Sequence, residues 1–121
     1  MATGEAILFI EIWDGLEPDE RVSFVSGHCL EDQHEMRTFY FAHVLGKGNY
    51  PKFRLNKKNI VLLNFHEHKL WDTARFKIRE NPHLMKMWEK MFKLEEELIA
   101  EYYDQPIPET NRQESYSRND F

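Results

Sequence analysis

Phe41-Ala42-His43-Val44-Leu45 and, after a basic loop, Asn59-Ile60-Val61-Leu62-Leu63-Asn64-Phe65-His66-Glu67-His68 are the stretches whose reading decides the fold. The first closes the aromatic and β-branched run Thr38–Val44, which predicts a strand, and Asn59–Leu63 is its natural hairpin partner. Between them, Gly46-Lys47-Gly48-Asn49-Tyr50-Pro51 predicts a loop in which the two glycines allow positive φ and close backbone approach. After Leu63 the pattern turns helical. Asn64 is a fitting N-cap, and Glu67 three residues on completes a capping box. His68 and Asp72 then share one face of that helix, being four residues apart.

Working outward, Asn81 and Pro82 predict the start of a second helix, by side-chain capping and by the preset φ of proline at the first position. Leu84, Met87, Trp88, Met91, Leu94, Leu98 and Tyr102 carry it to about Tyr103 as an apolar stripe at three-to-four spacing, which predicts core packing. Glu95, Glu96, Glu97 and Glu101 lie on its solvated side. Towards the N-terminus, residues 6–13 read equally as a strand or a short helix. Arg21–Val25 reads as a strand ending at the turn Ser26-Gly27, and residues 28–36 as a connection. The fold class expected is α+β. Residues 1–103 form one domain, with a core over about 38–79 and a bracing helix over about 82–103, followed by a flexible tail over 104–121.

The chain of 121 residues is 41% hydrophobic with 14% aromatics, enough for a modest core and unlike a disordered composition. No apolar run approaches the ~20 residues needed to span a bilayer, so no membrane partner is expected. Met1–Glu5 has no basic start of the kind a signal peptide carries. The single cysteine, Cys29, excludes an internal disulfide framework and an all-cysteine zinc site, and suits a reducing cytoplasm. Neither a P-loop nor a dinucleotide fingerprint is present, and no serine or cysteine stands in a nucleophile motif.

The net charge of −5 conceals a partition: −7 over residues 1–45, +7 over 46–79 and −5 over 80–121. The positive third holds Lys47, Lys52, Arg54, Lys57 and Lys58 on or beside the loop between the predicted strands. If these line one groove they grip a phosphate backbone; if they point apart they only solvate the loop. Tyr50, Phe53 and Trp71 offer either base stacking or core packing. His28 and His34 read as solvated, His83 as packing, and His66 as a surface or helix-start residue with metal contact as its alternative.

A predicted hairpin followed by a helix, with His43 near the end of the first strand, Asn59 opening the second and His68 on the helix, resembles the HNH endonucleases of the ββα-metal (His-Me finger) fold. The wider string Val25-Ser26-Gly27, Phe41–Leu45, Gly46–Pro51, Arg54-Leu55-Asn56 and Asn59–Leu63 resembles the HNH-type proteins of bacteriophages, over roughly residues 20–103. The resemblance implies that His43 is the general base, that Asn59 orients the loop carrying it, and that His68, with Asp72 as second ligand, holds a single Mg²⁺ or Mn²⁺. It implies DNA as substrate and a phage-encoded protein acting in the host bacterial cytoplasm. The sequence departs from the pattern twice. Ala42 stands where many HNH sites place a metal aspartate. Asn64 and Glu67 stand where a cysteine pair of a zinc knuckle would fall, so no structural zinc is expected. The alternative is a catalytically degraded HNH scaffold that binds nucleic acid, or binds a protein through its acidic helix or tail.

Overall fold

Five helices and one two-stranded antiparallel sheet make up the α+β fold of the computed structural model, which describes residues 4–31 and 34–104. In chain order they are α1 (Glu5–Asp14), β1 (Phe41–His43), β2 (Ile60–Leu62), α2 (Phe65–Thr73), α3 (Arg75–Arg79), α4 (Pro82–Met87) and α5 (Glu89–Tyr102). Short 3-10 turns lead into both strands, at Thr38–Tyr40 and Lys57–Asn59. The expected flexible tail lies outside the described residues beyond Asp104.

The hairpin pairs Phe41 with Leu62, Ala42 with Val61 and His43 with Ile60. Side chains alternate across a sheet, and here each face serves a different core. Phe41, Ile60 and Leu62 meet Leu8, Phe9 and Trp13 of α1, with Leu30 and Tyr40. Ala42 and Val61 point the other way, joining Trp71, Ile78, Trp88, Met91 and Leu98 of the remaining helices. Phe9 stacks on Phe41 at 4.4 Å between ring centroids, and Trp71 stacks on Trp88 at 5.7 Å. His43 follows Ala42, so strand alternation turns it to the α1 side.

Several expectations are refined. Residues 6–13 resolve as helix, because Leu8, Phe9 and Trp13 present one buried stripe to the sheet. Both strands are shorter than the runs Thr38–Val44 and Asn59–Leu63. The expected strand Arg21–Val25 reduces to a single bridge between Val22 and Cys29. The bracing helix is divided at Trp88 (ψ 9°), whose side chain is wholly buried against Trp71. Gly46 and Gly48 keep ordinary φ; the loop is turned instead by a Tyr50 N–H to Gly46 carbonyl bond of 2.9 Å.

The capping box forms as read. Asn64 Oδ1 accepts from the Glu67 N–H at 2.7 Å, and the Asn64 N–H donates to Glu67 Oε1 at 3.0 Å. Its extension is long-range: buried Ser23 donates its hydroxyl to the same Glu67 oxygen at 2.7 Å and accepts from the N–H groups of Val25 and Ser26. This brace ties the N-terminal loop to the start of α2. Ser23→Ala strips one bond from a buried carboxylate and leaves two N–H groups without that acceptor, so it is expected to lower unfolding free energy by about 2 kcal/mol. Urea unfolding checks this, and an unchanged midpoint would show the brace to be dispensable.

Candidate functional site

A cleft of about 410 Å³ opens along the α1 side of the hairpin, walled by Glu5, His43, Gly46, Lys47, His68 and Asp72. It brings together three elements that are far apart in sequence: the first turn of α1, the end of β1 with its following loop, and the exposed face of α2. His43, His68 and Asp72 therefore share one cavity.

His43 is half-buried, and its Nε2 lies 2.9 Å from the carbonyl oxygen of Arg54. A carbonyl only accepts, so Nε2 must carry the hydrogen, and in the neutral ring Nδ1 is left with the lone pair. Burial pushes the imidazole below its ordinary value. The Arg54 carbonyl and the Glu5 charge oppose that shift, while Lys47 adds to it. Burial thus favours the neutral ring, and the Arg54 carbonyl selects the tautomer that presents Nδ1 as a proton acceptor.

Asn59 explains how that residue is held. It is wholly buried, and its side-chain oxygen accepts from the Leu45 N–H at 2.7 Å. Its amide donates to the carbonyls of Leu45 at 3.1 Å and Phe53 at 3.2 Å. One side chain, itself at the far end of the basic loop, thus clamps the loop two residues after His43 and immediately before Arg54. The Trp71 indole N–H reaches the His43 carbonyl at 3.3 Å, fixing the strand end to α2.

On α2, His68 Nδ1 lies 2.6 Å from the carbonyl of Phe39, which by the same reasoning makes Nδ1 the hydrogen-bearing atom. His68 Nε2 faces Asp72 Oδ2 at 3.1 Å. The hydrogen bond to Asp72 raises the His68 pKa above its ordinary value. Burial works against that rise, and the Phe39 carbonyl assists it. A proton here sits between an imidazole nitrogen and a carboxylate oxygen, a donor pair that also suits a divalent cation. Among the described residues, no group of three or more His, Cys, Asp or Glu side chains is gathered to hold a metal. Ala42 is wholly buried on the opposite face of the sheet and adds no donor.

The basic residues divide. Lys47 and Arg54 converge on Glu5, at 3.2 Å and 3.5 Å. Lys57 turns to Glu11 of α1 at 3.9 Å, Lys58 to Glu101 of α5 at 2.9 Å, and Lys52 lies over the Tyr102 ring at 4.9 Å. Only Lys47 among the five lines the cleft itself. The aromatic candidates are drawn into packing: Trp71 is buried, and Tyr50 and Phe53 meet Tyr102 edge-on. His28, His34, His66 and His83 are exposed and stand outside the cleft. Glu5 is the cleft residue that sequence reading does not single out. Comparison of the chain with protein-family profiles, with curated proteins and with solved structures found no match in any of the three.

Proposed function

We propose that this protein is a metal-dependent endonuclease of the HNH type, hydrolysing phosphodiester bonds of DNA in the cytoplasm of a phage-infected bacterium. The observation that carries the reading is the His43 tautomer: its Nε2–H is committed to the Arg54 carbonyl, leaving Nδ1 as the basic atom of a residue that lines the same cleft as the His68–Asp72 pair. The β1–β2–α2 order supports the reading of a ββα-metal core, and the Asn64–Glu67–Ser23 brace fastens the start of α2 to the N-terminal loop without a zinc knuckle.

In this reading His43 Nδ1 takes the proton of a water whose oxygen bonds to phosphorus. The opposite P–O bond breaks, and the leaving oxygen is protonated by solvent. Asn59 positions the loop and through it the base. His68 Nε2 and Asp72 Oδ2 are the residues that fit a hard divalent cation; Mg²⁺ and Mn²⁺ need few protein donors, because water and phosphate oxygens fill the rest. Such a cation supplies positive charge to the phosphate and leaving oxygens.

The test is relaxation or linearisation of supercoiled plasmid with Mg²⁺ or Mn²⁺, abolished by EDTA. Absence of cleavage on duplex, single-stranded and branched DNA would sink the proposal. Asp72→Asn is expected to weaken Mn²⁺ binding about tenfold or more by calorimetry. Unchanged binding would remove this pair from the site.

A second reading is favoured by Ala42, whose burial denies the pair a carboxylate from β1. In it the scaffold binds DNA without cutting it. Salt-sensitive DNA binding with no heat of Mg²⁺ or Mn²⁺ binding selects that reading.

A further inference from the structure

Glu5 stands in an unusual position for a protein that grips phosphates. It places a carboxylate on the wall of the cleft, between the two loop cations nearest His43. Its side chain is 20% exposed, with Lys47 at 50% and Arg54 at 34%; Glu5 and Lys47 line the cleft, and Arg54, outside its lining, meets the same carboxylate. The contacts are loose. Lys47 Nζ lies 3.4 Å and 3.2 Å from the two carboxylate oxygens, and Arg54 reaches one of them at 3.5 Å, whereas a tight charge-assisted bond spans about 2.7–2.9 Å. Glu5 nonetheless stays charged: burial opposes the carboxylate, but Lys47, His43 and Arg54 together hold its pKa below the usual value.

We propose that Lys47 and Arg54 form a site for a backbone phosphate beside His43, and that the Glu5 carboxylate occupies this site in the free protein and yields it to the incoming strand. The proposal deepens the endonuclease reading and rests on it for the identity of the strand. A phosphate diester carries the same charge as the carboxylate, and its oxygens suit the guanidinium fork of Arg54 and the point charge of Lys47. Arg54 has a double part. Its side chain meets the anion while its carbonyl holds His43 Nε2, so a phosphate seated here lies against the residue that fixes the base. Glu5 belongs to the first turn of α1, where a negative charge is favourable, so it can leave the cations without abandoning the helix end. The plainer alternative is a staple that only fastens α1 to the loop.

The two readings differ in sign. As a resident competitor, Glu5 lowers anion affinity, and Glu5→Gln releases two surface ion pairs, raising affinity for inorganic phosphate and for a short single-stranded deoxyoligonucleotide about tenfold. Lys47→Met in the Glu5→Gln background is expected to erase the gain. As a staple, Glu5 pre-orders the cations, and a folded Glu5→Gln binds both probes no better than the wild type. That result overturns the proposal. So does a gain for inorganic phosphate alone, which would make the site one for small anions. Where Glu5→Gln fails to fold, the wild type decides by carboxyl ¹³C NMR. Oligonucleotide titration should move the Glu5 signal saturably, and an unmoved signal overturns the displacement. Repeating the binding in a His43→Ala background separates the two claims. A gain that persists there while no variant cleaves DNA upholds the phosphate site and removes the endonuclease.

Discussion

His43→Ala is expected to reduce metal-dependent plasmid cleavage by about 10²–10⁴-fold, the usual share of a positioned general base. The expectation follows from what the cleft holds besides His43. Glu5 is engaged by two cations, and His68 and Asp72, which the proposed endonuclease reading gives to a metal ion, are paired with each other. The substitution also removes the Nε2–H bond to the Arg54 carbonyl, at a stability cost of only about 1 kcal/mol. A folded, metal-binding variant without activity is therefore the expected result, and undiminished cleavage from a contaminant-free preparation would remove His43 from the mechanism. The pH profile adds a second check. Burial depresses the His43 pKa, so at saturating metal the loss of activity on acidification should fall below the ordinary imidazole value of ~6.5. The same shift has a stability consequence of fixed sign. A histidine whose folded pKa is depressed takes up protons more readily unfolded, so its contribution is intact above ~6.5 and declines below it.

Asn59→Ala is expected to have the largest effect on stability, on the order of 4 kcal/mol, because it strands three buried or half-buried backbone groups at once. The Leu45 N–H loses its acceptor, and the carbonyls of Leu45 and Phe53 lose their donor. No water-filled space is needed to see why: the side chain is fully enclosed. Asn59→Asp should be scarcely better, since it keeps the Leu45 N–H bond but sets a carboxylate oxygen against two carbonyl oxygens. Chemical denaturation measures both variants. A loss under about 1 kcal/mol for the alanine variant would mean that the loop closes without its clamp.

The local signals were legible because they are short-range. Asn64 with Glu67, and Asn81 with Pro82, announce helix starts through bonds that span three residues, and both caps are present. The hairpin was legible from the runs Thr38–Val44 and Asn59–Leu63 on either side of the Gly-rich loop. What escaped was tertiary. An apolar run such as residues 6–13 suits a strand or a helix equally, and only the aromatic surface of Phe41 and the aliphatic pair Ile60 and Leu62 selects the helix. Once α1 docks there, its first turn reaches the cleft, so nothing local to Glu5 marks it as a site residue. Ser23 escaped in the same way, since its partner Glu67 comes from α2. The charge of the loop was read correctly in sign, but the direction of each cation is set by partners elsewhere: Glu11 for Lys57, Glu101 for Lys58 and Tyr102 for Lys52.

The sheet separates two cores, and the three tryptophans of the chain are divided between them: Trp13 on the α1 side, Trp71 and Trp88 on the other. The protein thus carries its own optical labels. In Trp13→Phe the remaining indole emission follows the α2–α5 side alone, and the difference from the wild type follows the docking of α1. Because Glu5 rides on α1 while His68 and Asp72 ride on α2, the same difference signal reports whether the two walls of the cleft part before the rest of the molecule unravels.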